Sequence, residues 1–333
     1  MKEVTFPFLN LKLNVNPIMF SVFGINIYWY AFLIVSSIVI GIIICKKNNG
    51  RYGICFDDIL ELMIIVLPIS IICARIYYVI FSLNMYIKNP ISILNIRDGG
   101  LAIYGGIIGG AITIILYCKK KKISALDMLD YVSPCLALGQ CIGRWGNFFN
   151  VEAHGGITKS IFRMGIIEKE NYIEVHPTFL YESICTFIIF LILIIFQKKR
   201  KYKGQITYIY LAMYSFIRAI IEGFRTDSLM FIGFRISQIL SIILFVVFTS
   251  ILILKNIKMK NIMIIIVVIL LLAMLLLEMV MLKMLHILEH LVQKKKNLVL
   301  RKMKRMIISL LFLSLKSMIL LNIRELLRVL KLL

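Results

Sequence analysis

The feature that most constrains this chain is a series of seven long apolar segments, separated by short polar stretches. The hydrocarbon core of a bilayer needs about 20 residues of helix, and every segment reaches roughly that length. The chain is 60% apolar and 17% charged, whereas soluble domains average about 45–50% and about 25%. A soluble enzyme, a disordered protein and a secreted disulfide scaffold are therefore excluded. The predicted spans are residues 19–44, 58–82, 100–118, 125–147, 178–196, 205–223 and 235–254.

Basic residues mark every second connection between these segments. They follow the first, third, fifth and seventh segments, and the other connections are poor in lysine. Because basic loops stay in the cytoplasm, we predict an all-α polytopic membrane protein with seven transmembrane helices, its N-terminus outside and its C-terminus cytoplasmic. The net charge of +22 comes largely from these predicted cytoplasmic loops and from the basic tail, so no nucleic-acid partner is expected. The clusters are Lys46, Lys47 and Arg51; Lys119 to Lys122; Lys198, Lys199, Arg200, Lys201 and Lys203; and Lys255, Lys258 and Lys260.

Composition divides the chain near residue 256. Residues 1–256 form the predicted transmembrane domain, and residues 257–333 form a basic, apolar tail. Three interpretations of the tail are open: an eighth span at 261–282, an amphipathic helix on the cytoplasmic surface, and the product of a reading-frame slip. The first seventeen residues lack the pattern of a cleavable signal peptide, so we expect the first span to direct insertion as well.

Five ionisable side chains lie within or at the ends of the predicted spans, where each needs a partner or a function. Arg218 and Glu222 are four residues apart on one helix and can pair. A structural ion pair is one interpretation of these two residues. Three arginines and two carboxylates near the same side instead favour a site for an anionic group, because a guanidinium donates two parallel hydrogen bonds to phosphate. The other three residues are Arg75, Arg144 and Glu182.

The segment GRWGNFFNVEAHGG, residues 143–156, collects polar side chains where the fourth span ends. Its glycines keep the backbone accessible, so Arg144, Asn147, Asn150 and Glu152 are suited to hold a phosphate and a sugar-like alcohol. The alternative is an ordinary solvated loop. The histidines of this region have no close spacing in sequence, and no metal or other cofactor is expected.

The segment GGLAIYGGIIGG, residues 99–110, is rich in glycine. No strand precedes it, so a dinucleotide-binding motif is not expected, and its small-xxx-small pairs favour close helix packing. The hydroxyl of Tyr104 lies beside this bare backbone at the outer end of the predicted helix. A structural hydrogen bond and a role in the site are both open for Tyr104.

Six segments together resemble the prolipoprotein diacylglyceryl transferases of bacterial membranes. The resemblance runs from about Pro17 to about Gln238 and covers all seven predicted spans. Its most specific part is an Arg-x-x-Asn-x-x-x-x-Glu-x-x-Gly signature that begins at Arg144 and ends at Gly155. The segments are PIMFSVFGINIYWYA, ARIYYVIF, DGGLAIYGGIIGG, GRWGNFFNVEAHGG, HPTFLYES and RAIIEGFRTDSL.

The resemblance implies a transferase that moves a diacylglyceryl group from phosphatidylglycerol to the lipobox cysteine thiol of a prolipoprotein, releasing glycerol phosphate. It also implies a multi-pass protein of the bacterial cytoplasmic membrane, with its site toward the outer leaflet. Arg144 would bind the lipid headgroup, and Arg218 would lie near the transferred carbon. The implied catalytic residues are Arg144, Arg218, Tyr104 and Glu152. The implied substrate-binding residues are Arg144, Tyr30, Arg75, Tyr78, Asn147, Gly155, Glu182, Glu222 and Arg225.

Two positions depart from the family pattern. Tyr104 stands where other members have a histidine proposed as the general base, and Ala31 replaces a glycine. Free tyrosine titrates at about 10, so it is a poor base near neutral pH. Nearby positive charge lowers the pKa of a thiol from about 8.5, so we expect arginine electrostatics to outweigh base catalysis.

Two other classes of function compete with a transferase. A polytopic transporter of an anionic solute would also use buried arginines, but it should show internal repeats, and none is recognised. A membrane scaffold would explain the packing glycines, but not the charged side chains inside the spans.

Overall fold

The computed structural model describes residues 2–256 apart from 88, 97–98, 169, 227–229 and 232–233. The chain divides into two compact units, Met1–Asp227 and Ser228–Leu333. The tail, residues 257–333, lies outside the described residues. Its three interpretations and the predicted boundary at residue 256 therefore stay predictions.

Seven helices of at least 18 residues occur in the described part of the chain, and each overlaps one predicted span. They are α1 (Trp29–Lys47), α2 (Phe56–Phe81), α4 (Ile103–Lys121), α5 (Ala125–Asn150), α6 (Thr178–Gln197), α7 (Gln205–Glu222) and α8 (Ile236–Asn256), and a short α3 (Leu83–Tyr86) follows α2. Five of the seven, all but α5 and α7, are long and apolar enough to cross a membrane. The protein is therefore mostly helical and of the polytopic membrane class.

The structure also contains β-strands that the all-α prediction did not include. The strands β1 (Lys2–Phe6), β2 (Leu11–Val15), β5 (Met164–Glu168) and β6 (Asn171–Val175) form an antiparallel sheet in the order β2-β1-β5-β6. Val4 and Ile166 face each other across β1 and β5 and join Phe148 and Phe179 in one buried cluster. This cluster attaches the sheet to α5 and α6 and fixes the loop that leaves α5.

The predicted start of the first span at residue 19 is wrong, because a hairpin occupies that position. The strands β3 (Ile18–Val22) and β4 (Ile25–Tyr28) pair in antiparallel fashion, with Val22 opposite Ile25. Phe23 and Gly24 connect them with φ values of +49° and +77°, as the primed two-residue turns of hairpins require. The first helix therefore begins at Trp29, and α1 is correspondingly shorter than predicted.

The glycines of α4 allow it to pack closely on α2. A Cβ atom on Gly109 would lie 2.5 Å from the Cβ of Cys73, and one on Gly105 would overlap the carbonyl oxygen of Cys73. Real Cβ atoms do not approach so closely, so these positions accept only glycine without a shift of the backbone. This agrees with the packing interpretation of the segment.

A second unit follows the first in the chain. In its described part, β7 (Met230–Phe231) and β8 (Phe234–Arg235) pair in antiparallel fashion, and α8 follows directly.

Candidate active site

One buried carboxylate joins three helices. Glu182 of α6 has a side chain that is 1% exposed. Its Oε1 accepts a hydrogen bond from Nη2 of Arg144 on α5 at 2.5 Å and another from the phenol of Tyr214 on α7 at 3.1 Å. Its Oε2 accepts from Nη1 of Arg218, also on α7, at 3.1 Å. The three helices thus meet at a single polar group, named here the arginine site: Arg144, Glu182, Tyr214, Arg218 and Glu222.

A second carboxylate holds the other side of Arg218. Nη2 of Arg218 lies 2.6 Å from Oε2 of Glu222, whose side chain is 2% exposed. The pairing predicted from the four-residue spacing is confirmed. The two arginines and two carboxylates of the site sum to a formal charge of zero. This balance explains how four charged groups can be held among largely apolar helices.

Both arginines keep hydrogen-bonding capacity. A guanidinium carries five N–H donors, and the guanidinium of Arg144 contacts Glu182, Tyr214 and, at 3.3 Å, Oδ1 of Asn147, so donors remain. The side chains of Arg144 and Arg218 are 21% and 19% exposed, in contrast to the two carboxylates. The site therefore presents cationic N–H groups outward and keeps its carboxylates behind them, which suits an anionic ligand.

The loop that leaves α5 is folded around Glu152. Its Oε1 accepts hydrogen bonds from the side-chain amides of Asn147 and Asn150, both at 3.0 Å. Val151 and Ala153, on either side, have φ values of +51° and +55°. A β-branched residue rarely adopts this conformation, and such strain persists only where the surroundings impose it. Glu152 is an exposed residue that orders this loop from outside, next to Asn147 and therefore next to Arg144.

Gly155 ties the same loop to the end of α7. Its N–H donates to the carbonyl of His176 at 2.8 Å, and it forms a β-bridge with Arg225. A Cβ atom here would lie 2.7 Å from Cβ of His176 and 3.0 Å from the carbonyl of Phe224. Gly155 thus stands where two backbones approach closely, and it has no side chain to offer a substrate.

Tyr30 lies beside the last turns of α5. A Cβ atom on Gly146 would overlap the Tyr30 ring, so the ring rests directly on the α5 backbone two residues after Arg144. The neighbouring Trp29 stacks on Phe149 with ring centroids 4.6 Å apart. Tyr30 is 39% exposed, and its predicted contact with substrate stays a prediction.

Arg75 and Tyr78 of α2 lie in a different environment from the one predicted. Arg75 is 7% exposed, and its guanidinium makes five hydrogen bonds to main-chain carbonyls, at 2.8–2.9 Å. These contacts occupy all five N–H donors of Arg75, and its predicted contact with substrate stays a prediction. Tyr78 packs edge-on against Tyr86, with ring centroids 6.5 Å apart.

Tyr104 is the second residue of α4 and is 38% exposed. Within the described residues, no hydrogen bond joins its phenol to the arginine site. Its predicted role as a catalytic residue stays a prediction.

The sequence analysis missed Tyr214. Its hydroxyl donates to the same oxygen of Glu182 that Arg144 binds. The signal was present in the spacing, because Tyr214, Arg218 and Glu222 recur every four residues and so share one face of α7.

Outside the spans, burial perturbs a histidine near this loop. His176 lies between β6 and α6, its ring centroid is 4.9 Å from that of Phe224, and its Nδ1 is 3.3 Å from the Tyr181 hydroxyl. Desolvation lowers the pKa of His176 below its usual value, so the neutral imidazole is favoured.

Known proteins share most of this chain. The family model described as Prolipoprotein diacylglyceryl transferase matches residues 17–254. Three relatives carry the name phosphatidylglycerol–prolipoprotein diacylglyceryl transferase. The one from Clostridium novyi (strain NT) is 46% identical over 250 residues, which is 73% of this chain and 97% of the relative. The one from Clostridioides difficile (strain 630) is 48% identical over 224 residues, 67% and 89% of the two chains. The one from Streptococcus pneumoniae serotype 4 is 42% identical over 249 residues, 73% and 95%. With a family model that covers most of its length and relatives at this level of identity, the chain belongs to the prolipoprotein diacylglyceryl transferase family.

Proposed function

We propose that the arginine site is the place where this transferase moves the diacylglyceryl group of phosphatidylglycerol to the lipobox cysteine thiol of a prolipoprotein. The relatives' names supply the two substrates and the type of reaction, which is the first step of lipoprotein maturation. The observation that carries the proposal is the pair of outward-facing guanidinium groups on α5 and α7, held by one buried carboxylate. The relatives give no support to the transporter alternative.

The reaction is a substitution at carbon. The cysteine thiolate attacks the glyceryl carbon that bears the phosphate, the C–O bond breaks with its electrons going to oxygen, and a thioether forms. Glycerol phosphate leaves, and the thiol proton is released. Negative charge moves from sulfur to the departing phosphate oxygen, so fixed cationic donors at both positions lower the barrier. Arg144 and Arg218 are suited to this role because both guanidinium groups bind the same carboxylate, that of Glu182, and both are partly exposed.

Phosphate binding would use the guanidinium N–H groups that make no hydrogen bond within the protein. Since the arginine site is neutral by itself, it attracts an anion through directed N–H groups and not through excess charge. The lipid phosphate takes the remaining N–H groups of Arg144 and Arg218, while Glu182 keeps the two guanidiniums at a fixed separation. Asn147, which is fixed by Glu152 and lies 3.3 Å from Nη1 of Arg144, is placed to contact the headgroup beside Arg144.

The proposed topology has seven spans with the N-terminus outside. α5 and α7 carry most of the buried charge, which is why they are the least apolar of the long helices. α5 packs against α1, α6 and α7, so its polar side chains are shielded from lipid. The lysines at the ends of α1 and α4 mark the cytoplasmic side. The arginine site then lies toward the outer leaflet of the bacterial cytoplasmic membrane, below the sheet.

The decisive experiment uses the full-length protein with phosphatidylglycerol and a synthetic lipobox peptide. We expect the peptide to gain the mass of a diacylglyceryl group and glycerol phosphate to appear in equal amount. Arg218→Ala should lower the rate by about 10²–10³-fold, the usual loss for a group that stabilises transition-state charge. Arg163→Ala is the matched control, because Arg163 pairs with Glu174 at 2.7 Å in the sheet region and should leave the rate unchanged.

Two results would contradict the proposal. One is no mass gain with folded wild-type protein, and the other is an equal effect of Arg163→Ala and Arg218→Ala. The same assay tests the tail: if a protein that ends at residue 258 keeps the activity, residues beyond it are dispensable for the reaction.

A further inference from the structure

Arg75 is fully occupied by the main chain of one neighbouring segment. Its Nε donates to the carbonyl of Ile93, its Nη1 to Gly99 and Gly100, and its Nη2 to Ser92 and Asn95. A guanidinium has five N–H groups, and here each meets one carbonyl oxygen.

These five carbonyls belong to the connection between α3 and α4, where one of them, that of Ser92, also accepts from the N–H of Asn95 at 3.2 Å. The five carbonyls lie between the long helices α2 and α4, and those of Ser92 and Ile93 belong to a 3-10 helix, Pro90–Leu94. Gly99 and Gly100 have φ values of +92° and +73°, so the chain turns sharply here. Non-helical backbone near a bilayer needs hydrogen-bond donors from the protein. Arg75 supplies them from the adjoining helix, and a Cβ atom on Gly100 would overlap its Nη1.

The segment leads directly into α4. The N–H of Ala102 donates to the carbonyl of Ala74 at 3.1 Å, one residue from Arg75. Gly105 then rests on the Cys73 carbonyl. Tyr104 lies between these two contacts, so its direction depends on the path that residues 92–100 take before α4 begins.

We propose that Arg75 is a positioning residue, which fixes the carbonyls of Ser92, Ile93, Asn95, Gly99 and Gly100 and thereby sets the orientation of Tyr104 for the transfer reaction. The inference rests on the proposed function. It assigns Arg75 a role through the backbone and not through contact with phosphate.

The test is a double-mutant cycle between Arg75→Lys and Tyr104→Phe in the full-length protein. Lysine keeps the charge but offers three N–H groups from one nitrogen, so it cannot reach five carbonyls. We expect Arg75→Lys to lower kcat by about 10-fold through misplacement, with KM for phosphatidylglycerol unchanged within about 2-fold. In the Tyr104→Phe background the same substitution should lower kcat by less than about 2-fold, because coupled residues are not additive.

A second measurement does not depend on activity. Amide hydrogen exchange at residues 92–100 should speed up in Arg75→Lys and stay unchanged in Arg163→Lys. A fully additive cycle, a rise in KM like that of an Arg144 variant, or unchanged exchange at 92–100 would each overturn the inference. Wild-type turnover separates this failure from that of the proposed function, since an inactive wild type with normal exchange contradicts the transfer reaction itself.

Discussion

The two ends of α5 carry similar residues in very different arrangements. At the start of the helix, Asp130 is fully buried and accepts hydrogen bonds from the N–H of Gly204 at 2.8 Å and from the N–H and hydroxyl of Thr207 at 2.8 and 2.7 Å. Arg200 pairs with Asp127 and Asp130 and lies 3.8 Å above the ring of Tyr52. The other end holds Arg144, about 21 Å away along the helix axis.

The two ends differ in how far the guanidinium groups of their arginines are exposed. At the start of α5, the guanidinium of Arg200 is enclosed by two carboxylates and an aromatic ring, and its side chain is 11% exposed. At the arginine site, the carboxylates are enclosed and the guanidiniums of Arg144 and Arg218 are partly open. A buried ion cluster whose arginines are enclosed thus stabilises the fold, whereas one whose arginines are partly exposed is a candidate binding site.

The sharpest test of this comparison substitutes one residue at each end of the same helix. Arg144→Ala should lower transfer activity by about 10²-fold or more. It should lower the thermal midpoint less than Asp130→Ala does, since Glu182 keeps Arg218 and Tyr214 as partners. Asp130→Ala leaves the buried N–H groups of Gly204 and Thr207 and the Thr207 hydroxyl without their acceptor, and it removes one of the two carboxylates that pair with Arg200. It should destabilise the protein by about 3–5 kcal/mol.

Activity per folded molecule and thermal unfolding in one detergent separate the two effects. If Asp130→Ala abolished the activity of protein that remained folded, the distinction between a structural ion cluster and a binding site would fail. The distinction would fail equally if Arg144→Ala unfolded the chain.

A smaller effect is expected when the charge is kept and only the guanidinium fork is lost. Arg144→Lys should raise KM for phosphatidylglycerol by about 10-fold, because an ammonium cannot donate the two parallel hydrogen bonds that a phosphate accepts from arginine. Initial rates against lipid concentration give this value. Arg200→Lys is the matched control at the other end of α5 and should leave KM unchanged.

Tyr104→Phe should have a weaker effect on kcat than the loss of either arginine. Phenylalanine removes the hydroxyl and little else, so we expect a loss of about 10-fold, within the lower range for a proton-transferring group. If Tyr104→Phe removed activity as fully as Arg218→Ala while lipid still bound, base catalysis would dominate over electrostatics.

The helices were readable from the sequence because long apolar runs between basic clusters leave few alternatives. The start of α1 was not, since IMFSVFGINIY is mostly apolar and suits a helix or a hairpin equally well. The sheet could not be predicted from local sequence patterns either, because β1 pairs with β5 more than 150 residues later. Such pairing depends on the finished bundle, which brings the loop after α5 to the N-terminus.

The site was partly readable for a similar reason. The four-residue spacing predicted the Arg218–Glu222 pair, and the same rule applied to Tyr214 would have added it. Arg75 shows that a buried charge in the sequence does not by itself identify a ligand-binding residue. A buried arginine looks the same in sequence whether its donors meet a phosphate or five carbonyls, and only the path of residues 92–100 decides between them.

The smallest expected effect concerns the loop that connects the sheet to the arginine site. Because burial holds the pKa of His176 below its unfolded value of about 6.5, the unfolded chain binds a proton more readily than the folded one. The stability that this difference contributes is present above about pH 6.5 and falls as the pH drops through the folded-state pKa. Thermal midpoints of the wild type between about pH 7.5 and 5.5 should therefore decline more steeply than those of His176→Gln, which cannot titrate. Parallel curves would show that protonation of His176 does not oppose the packing of its ring on Phe224, and that the loop is held by its backbone bonds to Gly155 and Gly156 alone.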